Sequence, residues 1–210
     1  PVFQSDGNSL GQTEVNVSKA IHERRSNKSF TKLRRPDPAL IEKIIEGATW
    51  APTHHMNQAW RFDVFEGDGL LKLAELDAQI HLHELSNDID EATKTEIRDR
   101  RAAKMMQYPI VILVSIPKLR DRKSNYVEEI AAGGAAIQNL LLAAHEEGLA
   151  TFWATGKLAR DEKTKNFLKI SEDDEIIGII RVGYPKPDEA PEEWREEREP
   201  LTRKLNWHRA

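Results

Sequence analysis

The strongest strand pattern in the chain is the run Pro109-Ile110-Val111-Ile112-Leu113-Val114-Ser115-Ile116. It is almost entirely apolar and rich in β-branched side chains, and it lacks the polar alternation of a strand with one wet face. Such a run is typical of a strand that is buried on both faces. The stretch from Glu175 to Tyr184 has the same character. Together the two stretches predict a sheet that is covered on both sides.

Helical patterns surround these strands. The stretch from Glu128 to Glu147 has apolar residues at helical spacing, and Gly148 ends it. Asp37-Pro38 opens another helix, with an Asp cap and Pro at the first helical position. Shorter strands are predicted at 60–66 and 151–154. Because helices alternate with buried strands, the expected class is α+β or α/β with a covered sheet.

Two parts of the helical pattern carry a further expectation. Gly133 and Gly134 lie inside the predicted helix from Glu128 to Glu147, where each glycine costs about 1 kcal/mol of helix stability relative to alanine. We therefore expect close packing at these positions to offset the cost. Residues 77–108 carry many charges, with apolar residues at irregular helical spacing. We expect exposed helices there, with a solvated face.

The 210 residues fit one domain, since single cores usually extend to roughly 100–200 residues. Residues 1–14 are rich in Gly, Ser, Gln and Asn and predict a flexible N-terminal arm. The rest, 15–210, is expected to form a single domain. Its last part, 185–210, is rich in Pro and Glu and predicts a tail that wraps its own domain or a partner subunit.

Composition excludes several kinds of site. The chain has no cysteine, so disulfides, thiolate nucleophiles, Cys-ligated zinc and iron–sulfur clusters are excluded. With 31 basic and 35 acidic residues, it has no overall attraction to nucleic acid or to anionic membranes. Mean hydropathy is -0.61, and no apolar run approaches the ~20 residues of a membrane span. We expect a cytoplasmic protein, which the absence of cysteine suits.

The first candidate site is Arg24-Arg25-Ser26, at the end of a predicted helix. Two guanidinium groups and a hydroxyl within three residues can clamp a phosphate through charge-assisted hydrogen bonds. The same three residues can also be a capping cluster on a solvated surface, because cations are favoured at a helix C-terminus. The segment alone leaves both interpretations open.

The second candidate site is the loop Ala51-Pro52-Thr53-His54-His55-Met56-Asn57-Gln58-Ala59-Trp60-Arg61-Phe62. Its adjacent histidines have no nearby carboxylate or helical His-x-x-x-His spacing, so we expect no metal site. Asn57 and Gln58 each offer a donor and an acceptor on one flat group, which matches the imide edge of a flavin ring. A polar loop that satisfies its own backbone is the alternative.

Taken together, these segments resemble the nitroreductase family of FMN-dependent oxidoreductases. The resemblance is carried by Arg24-Arg25-Ser26 with Phe30, by the loop from Ala51 to Phe62, by the helix from Ala135 to Ala144, and by Gly148-Leu149. These parts arrive in family order and cover about Ala20 to Trp207. The resemblance implies an α/β/α sandwich with a mostly antiparallel central sheet, a C-terminal extension around the partner, and a homodimer with FMN at its interface.

The resemblance also implies roles for individual residues. Arg24, Arg25 and Ser26 would bind the FMN phosphate and ribityl chain. Arg198 would join them, with Arg203 as the alternative. Contacts from the loop region, commonly made across the subunit boundary, would come from Trp50, His54, Asn57 and Gln58. Contacts along the flavin ring would come from Trp153, Ala154, Thr155 and Gly156. The backbone N–H of Thr155 or Gly156 would face the reactive nitrogen of the ring.

The implied activity is hydride transfer from NADH or NADPH to an electron-poor acceptor, such as a nitroaromatic or a quinone, in a ping-pong order. The chemistry would take place at the flavin, so no dedicated catalytic side chain is expected. Ala59 and the segment from Trp153 to Thr155 depart from the better-known branch and indicate a minimal, single-domain bacterial subgroup. Two alternatives stay open: a specialised enzyme such as a reductive dehalogenase, and a non-catalytic FMN-storage or sensor protein.

Overall fold

The computed structural model of the chain describes residues 16–85, 89–118 and 125–187, together with 189, 205 and 207. The helices are α1 Val17–Glu23, α2 Pro38–Thr49, α3 Asp68–His83, α4 Glu91–Met105, α5 Tyr126–Glu146, α6 Lys157–Arg160 and α7 Glu162–Leu168. The strands are β1 Arg61–Phe65, β2 Ile110–Ile116, β3 Ala150–Ala154 and β4 Glu175–Gly183.

Among the described residues the strands form one sheet in the order β1-β2-β4-β3, with every neighbouring pair antiparallel. All of β2 is buried. Ile110, Ile112 and Val114 pack with α2 and α5 on one face, whereas Val111 and Leu113 pack with α3 and α4 on the other. The sequence prediction of a strand buried on both faces is confirmed, and the α/β/α sandwich with it.

Helix α5 forms the centre of one outer layer. It begins at Tyr126, two residues before the predicted start, because Asn125 and Glu128 form a reciprocal capping box. A Cβ built on Gly133 would lie 2.5 Å from Cδ1 of Ile116 and 2.6 Å from Cδ1 of Ile177. A larger residue here would require the ends of both isoleucine side chains to move. At Gly134 no atom of the described residues lies within 4 Å of such a Cβ, so the expected packing gain is absent there within the described chain.

The interpretation of residues 77–108 as exposed helices is wrong in part. Helices α3 and α4 form the second outer layer, and each buries one face against the sheet or against the other helix. The buried apolar side chains of this region are Ala78, Ile80, Ile97 and Met105. The high charge of α4 hid this stripe, because its apolar positions are few and widely spaced.

Strand β3 lies at one edge of the sheet, and the chain segment after α1 runs beside it. Ser26 forms a parallel bridge with Thr151, and the backbone N–H of Asn27 donates to the Thr151 carbonyl at 2.9 Å. None of the helices in the described ranges is both long and apolar enough to cross a membrane. The predicted arm, 1–14, and nearly all of the tail, 185–210, lie outside the described residues.

Candidate active site

Arg24, Arg25 and Ser26 follow directly from the end of α1. Arg24 caps the helix, with its backbone N–H on the Ala20 carbonyl at 3.0 Å, and its side chain is buried. Arg25 is half-buried and turns its Nη1 back toward the carbonyls of His22 and Arg24. The structure thus separates the two neighbouring cations, one inside and one at the surface. The capping role and the predicted phosphate role are both compatible with this arrangement.

The segment Trp153-Ala154-Thr155-Gly156 lies at the opposite end of β3 from Ser26. Trp153 donates from Nε1 to the Ile177 carbonyl at 3.1 Å and lies on the α5 face of the sheet. Thr155 and Gly156 lie on the other side, where they line a cavity of about 290 Å³. Thr151 and Thr155 are four residues apart, which is about 13 Å along an extended strand. Strand β3 therefore links the Arg-Arg-Ser segment to this cavity.

Basic side chains outnumber acidic ones in the lining of the cavity beside Thr155. It lies between α3, α4, α6 and β4, and Asp77 is the acidic group in its lining. The basic residues that line it are Arg101, Lys104, Lys157 and Arg181, with His81 as a titratable neighbour. Burial, followed by the charge of Arg101, lowers the pKa of His81 from its ordinary 6.5. The cavity is thus suited to a ligand with negative charge or several acceptor atoms.

Three buried nitrogen atoms of residues that line this cavity have no hydrogen-bond partner among the described residues. They are Nδ1 of His81, Nε of Arg101 and Nε of Arg181. Unpaired buried donors are costly, and native proteins satisfy most of them. All three belong to residues in the lining of one cavity, where a ligand with acceptor atoms would meet a surface rich in donors.

Aromatic rings hold Arg181 in place at the cavity. Its guanidinium lies 4.7 Å from the Tyr108 ring centroid and 5.2 Å from that of Phe152. Lys28 lies over the same Phe152 ring at 5.2 Å. Phe30 meets Tyr108 edge to face at 5.8 Å. Lys28 and Phe30, which follow Ser26, therefore contact the same two rings that contact Arg181, at one edge of the sheet.

The loop from Ala51 to Phe62 lies in the other helical layer, against α5. Its backbone is strained, since His55, Met56 and Gln58 all have φ near +50°. Left-handed non-glycine residues cost of order 1–3 kcal/mol each, and they cluster at ligand sites. Together with Pro52, Thr53 and α5, His54 lines a second cavity of about 290 Å³.

The structure does not bring this loop to the cationic cavity within one chain. The amide of Asn57 donates to Oε1 of the buried Glu129 on α5 at 2.5 Å, so it faces α5. Gln58 is exposed, and Trp50 is 78% exposed with its Nε1 on Glu46 at 2.6 Å. The predicted contacts of Trp50, His54, Asn57 and Gln58 with a flavin stay predictions.

Sequence reasoning missed the basic residues of α4 and β4. Arg101 and Lys104 are three apart on one helical face, directly before the buried strand β2, and Arg181 is the one charge inside the apolar run of β4. A charge inside an otherwise apolar strand sequence was the signal that could have identified Arg181 as a candidate site residue. Arg198 and its alternative Arg203 lie outside the described residues.

Known proteins match this chain over most of its length. A family model described as the Nitroreductase family matches residues 21–184. YfhC of Bacillus subtilis strain 168, provisionally named an NAD(P)H nitroreductase, is 26% identical over 179 residues, which cover 82% of this chain and 84% of YfhC.

Solved structures agree with the family match. A nitroreductase-like family protein from Bacillus cereus superposes with a TM-score of 0.78 at 27% identity, over 96% of this chain and all of the other. A Desulfovibrio desulfuricans protein, provisionally a nitroreductase and solved in complex with FMN, gives 0.69 at 25% identity, over 94% and 99% of the two chains. On its sequence and its fold, the chain belongs to the nitroreductase family.

Proposed function

We propose that this protein is an FMN-dependent oxidoreductase that uses NADH or NADPH as its donor and reduces an electron-poor acceptor. The observation that carries the proposal is the cationic cavity at Thr155 and Gly156, with four basic side chains in its lining. The FMN complex of the Desulfovibrio relative and the NAD(P)H donor in the provisional name of YfhC support the same cofactors.

The residues at the cavity fit a flavin ring. The pyrimidine end of a flavin presents carbonyl and ring-nitrogen acceptors, and Arg101 and Arg181 have only donors to offer. The phosphate end would lie about 13 Å away, where Arg24, Arg25 and Ser26 begin the segment beside β3. An elongated ligand with a polar ring and a phosphate matches this spacing.

When bound, FMN would accept a hydride from NAD(P)H and pass it on in a second half-reaction, which makes the sequence ping-pong. The chain would supply position and electrostatics. Arg101, Lys104 and Arg181 would favour the more negative, reduced state of the cofactor, because their charges converge on its pyrimidine end. The backbone N–H of Thr155 or Gly156 would orient the reactive edge of the ring.

The second wall of the site would come from a partner subunit. Within one chain the loop from Ala51 to Phe62 lies in the other helical layer from the cationic cavity. Trp50, directly before the loop, is 78% exposed, and Met56, within it, is 73% exposed. Val127 on α5 is 77% exposed beside the same layer. A homodimer that pairs these surfaces would cover the apolar groups and carry the loop to the partner's flavin.

The acceptor class has two candidates. Nitroaromatics and quinones follow from the family. Reductive dehalogenation is favoured by one relative, the iodotyrosine deiodinase of Drosophila melanogaster, which is 27% identical over 187 residues, 81% of this chain and 64% of that protein. Anaerobic reoxidation of the reduced protein by each compound class would separate these two candidates.

The decisive experiment is an anaerobic titration of the purified protein. We expect yellow protein with absorbance near ~450 nm, bleaching by NADH or NADPH, and recovery of colour on addition of a nitroaromatic or quinone. Colourless protein that also fails to bind added FMN would overturn the proposal. Stoichiometric FMN without NAD(P)H turnover would support a storage or sensor protein instead.

A further inference from the structure

Three part-buried side chains in the lining of the cationic cavity contact one another. Asp77 and His81 lie one helical turn apart on α3, and Arg101 reaches between them from α4. Nη1 of Arg101 lies 3.3 Å from Oδ2 of Asp77, and its Nη2 contacts Nε2 of His81. The Arg101 and Asp77 side chains are each only 16% exposed. The guanidinium is therefore held on two sides before any ligand enters.

The contact with Arg101 determines the tautomer of His81. An arginine side chain has donors and no acceptor, so Nε2 of His81 must be the acceptor in this pair. An imidazole that accepts at Nε2 is neutral and carries its proton at Nδ1. That Nδ1 is buried and has no partner among the described residues. His81 thus carries its proton on the buried Nδ1 while it orients Arg101 through Nε2.

We propose that neutral His81, together with Asp77, is a positioning residue that fixes Arg101 for the pyrimidine end of the flavin; this rests on the proposed function. A free arginine side chain loses conformational entropy when it is immobilised. Because Asp77 and His81 hold the guanidinium in advance, that cost is met during folding and FMN binds more tightly.

Protonation of His81 would release this arrangement. A proton at Nε2 would place two N–H groups and two positive charges against each other, so Arg101 would move away. The other charged and titratable groups that surround His81 are Asp77 and Glu84 on α3, Lys104 on α4, Tyr108 before β2, Lys157 on α6 and Arg181 on β4. Since Glu84 pairs with Lys157 and Asp77 with Arg101, the surrounding charge does not favour a second cation. FMN should therefore bind less tightly as the pH falls below 6.5.

The tautomer can be tested without any flavin chemistry. In ¹⁵N-histidine-labelled protein as purified, long-range ¹H–¹⁵N spectra at pH 7.5 should show His81 with its proton on Nδ1, and that signal should be missing in H81Q. His22, whose Nδ1 faces the Ser18 carbonyl at 2.7 Å, should give a second signal of this kind, which H22Q identifies. In Arg101→Met the His81 imidazole should either move its proton to Nε2 or become protonated at a higher pH than in the unmodified protein. A His81 proton on Nε2 in the unmodified protein overturns the proposal, whether or not FMN is bound.

The positioning effect is tested by FMN release from diluted holoprotein, followed by flavin fluorescence between pH 5.5 and 8. His81→Phe removes the acceptor and should raise the dissociation constant about tenfold at pH 7.5, as expected for one charge-assisted hydrogen bond. His81→Gln keeps an acceptor that does not titrate, so it should stay near the unmodified protein at pH 7.5 and lose the weakening at low pH. His83→Gln, exposed on the same helix, is the matched control and should behave as the unmodified protein does.

Two results would contradict the positioning role: equal FMN retention in His81→Phe and the control, or an unchanged pH profile in His81→Gln. Circular dichroism and thermal melting of each variant separate these outcomes from misfolding, and His81→Gln keeps the test valid if His81→Phe does not fold. Unmodified protein that holds no FMN at all would count against the proposed function, and the NMR tautomer would then still decide whether His81 orients Arg101.

Discussion

At the scale of single residues, the two neighbouring arginines of Arg24-Arg25-Ser26 have different surroundings. Arg24 is 8% exposed at the end of α1, so its replacement removes packing as well as charge. Arg25 is half-buried, and its Nη1 can leave the carbonyls of His22 and Arg24 at low cost. Arg25 is therefore the cleaner probe of the proposed phosphate site.

We predict that Arg25→Ala weakens FMN retention about 10- to 100-fold, because a phosphate would lose a charge-assisted partner worth about 1.5–3 kcal/mol. The melting temperature of the apoprotein should change little. Equilibrium dialysis of FMN measures the effect, with Arg98→Ala, a surface cation on α4, as the control. Full flavin occupancy in both Arg24→Ala and Arg25→Ala would show that the phosphate binds elsewhere.

His145 on α5 gives a pH prediction near the same segment. Burial is the main cause that lowers the pKa of His145 from 6.5, and Arg24, Lys19 and Arg25 add to it against Glu23. A histidine whose folded-state pKa is lowered favours the folded state only while it is neutral. The free energy of unfolding should therefore fall as the pH drops through 6.5 toward the lower folded-state pKa.

Urea unfolding at pH 8 and pH 5.5 measures this fall in the free energy of unfolding. His145→Gln should make the fall smaller but should not abolish it, because other groups, His81 among them, also contribute. His22→Gln, which is exposed on α1, is the control and should leave the fall unchanged. An equal pH dependence in His145→Gln and the unmodified protein would mean that His145 is equally easy to protonate in the folded and unfolded chains.

At the scale of elements, the adjacent glycines of α5 form a matched pair. A Cβ on Gly133 would overlap side-chain atoms of Ile116 and Ile177, whereas one on Gly134 meets no described atom within 4 Å. We predict that Gly133→Ala destabilises the protein by about 1–3 kcal/mol through overpacking, and that Gly134→Ala stabilises it by up to about 1 kcal/mol through helix propensity. Chemical denaturation of both variants is the measurement. Equal effects would mean that α5 does not approach the sheet at Gly133.

The burial pattern of each element decides whether that element could be predicted from the sequence. Strands β2 and β4 and helix α5 were readable because burial on both faces, or a continuous apolar stripe, leaves an unbroken pattern. Helix α4 was misjudged because only Ile97 and Met105 among its fifteen residues are buried, too few to produce a visible period. The segments Arg24–Ser26 and Trp153–Gly156 were assigned to the cofactor from family order, since local chemistry left each ambiguous, and these assignments stay predictions. Arg101 and Lys104 were not, because a basic pair on a charged helix looks like any solvated surface until β2 and β4 bring Arg181 beside it.

At the scale of the whole molecule, the exposed apolar residues of the α2–α5 layer require an explanation. Trp50, Met56 and Val127 are each more than 70% exposed, and they border the strained loop that carries predicted flavin contacts. One isolated exposed apolar side chain is ordinary, but a group of large ones on one layer indicates a protein interface. The proposed homodimer accounts both for this exposure and for the separation of the loop from the cationic cavity in one chain.

We predict that size-exclusion chromatography with light scattering gives twice the 24.0 kDa of one chain at micromolar concentration. Val127→Glu should shift the mass toward 24.0 kDa, because it would bury a charge at the interface at a cost of several kcal/mol. Leu71 is exposed on α3 in the opposite layer, so Leu71→Glu is the control and should remain dimeric.

Because the partner's loop would complete the flavin site, Val127→Glu should also lose FMN in step with the dissociation of the dimer. Unmodified protein at the mass of one chain would contradict the dimer. A monomeric Val127→Glu that keeps its FMN would instead show that the loop from Ala51 to Phe62 is not part of the flavin site.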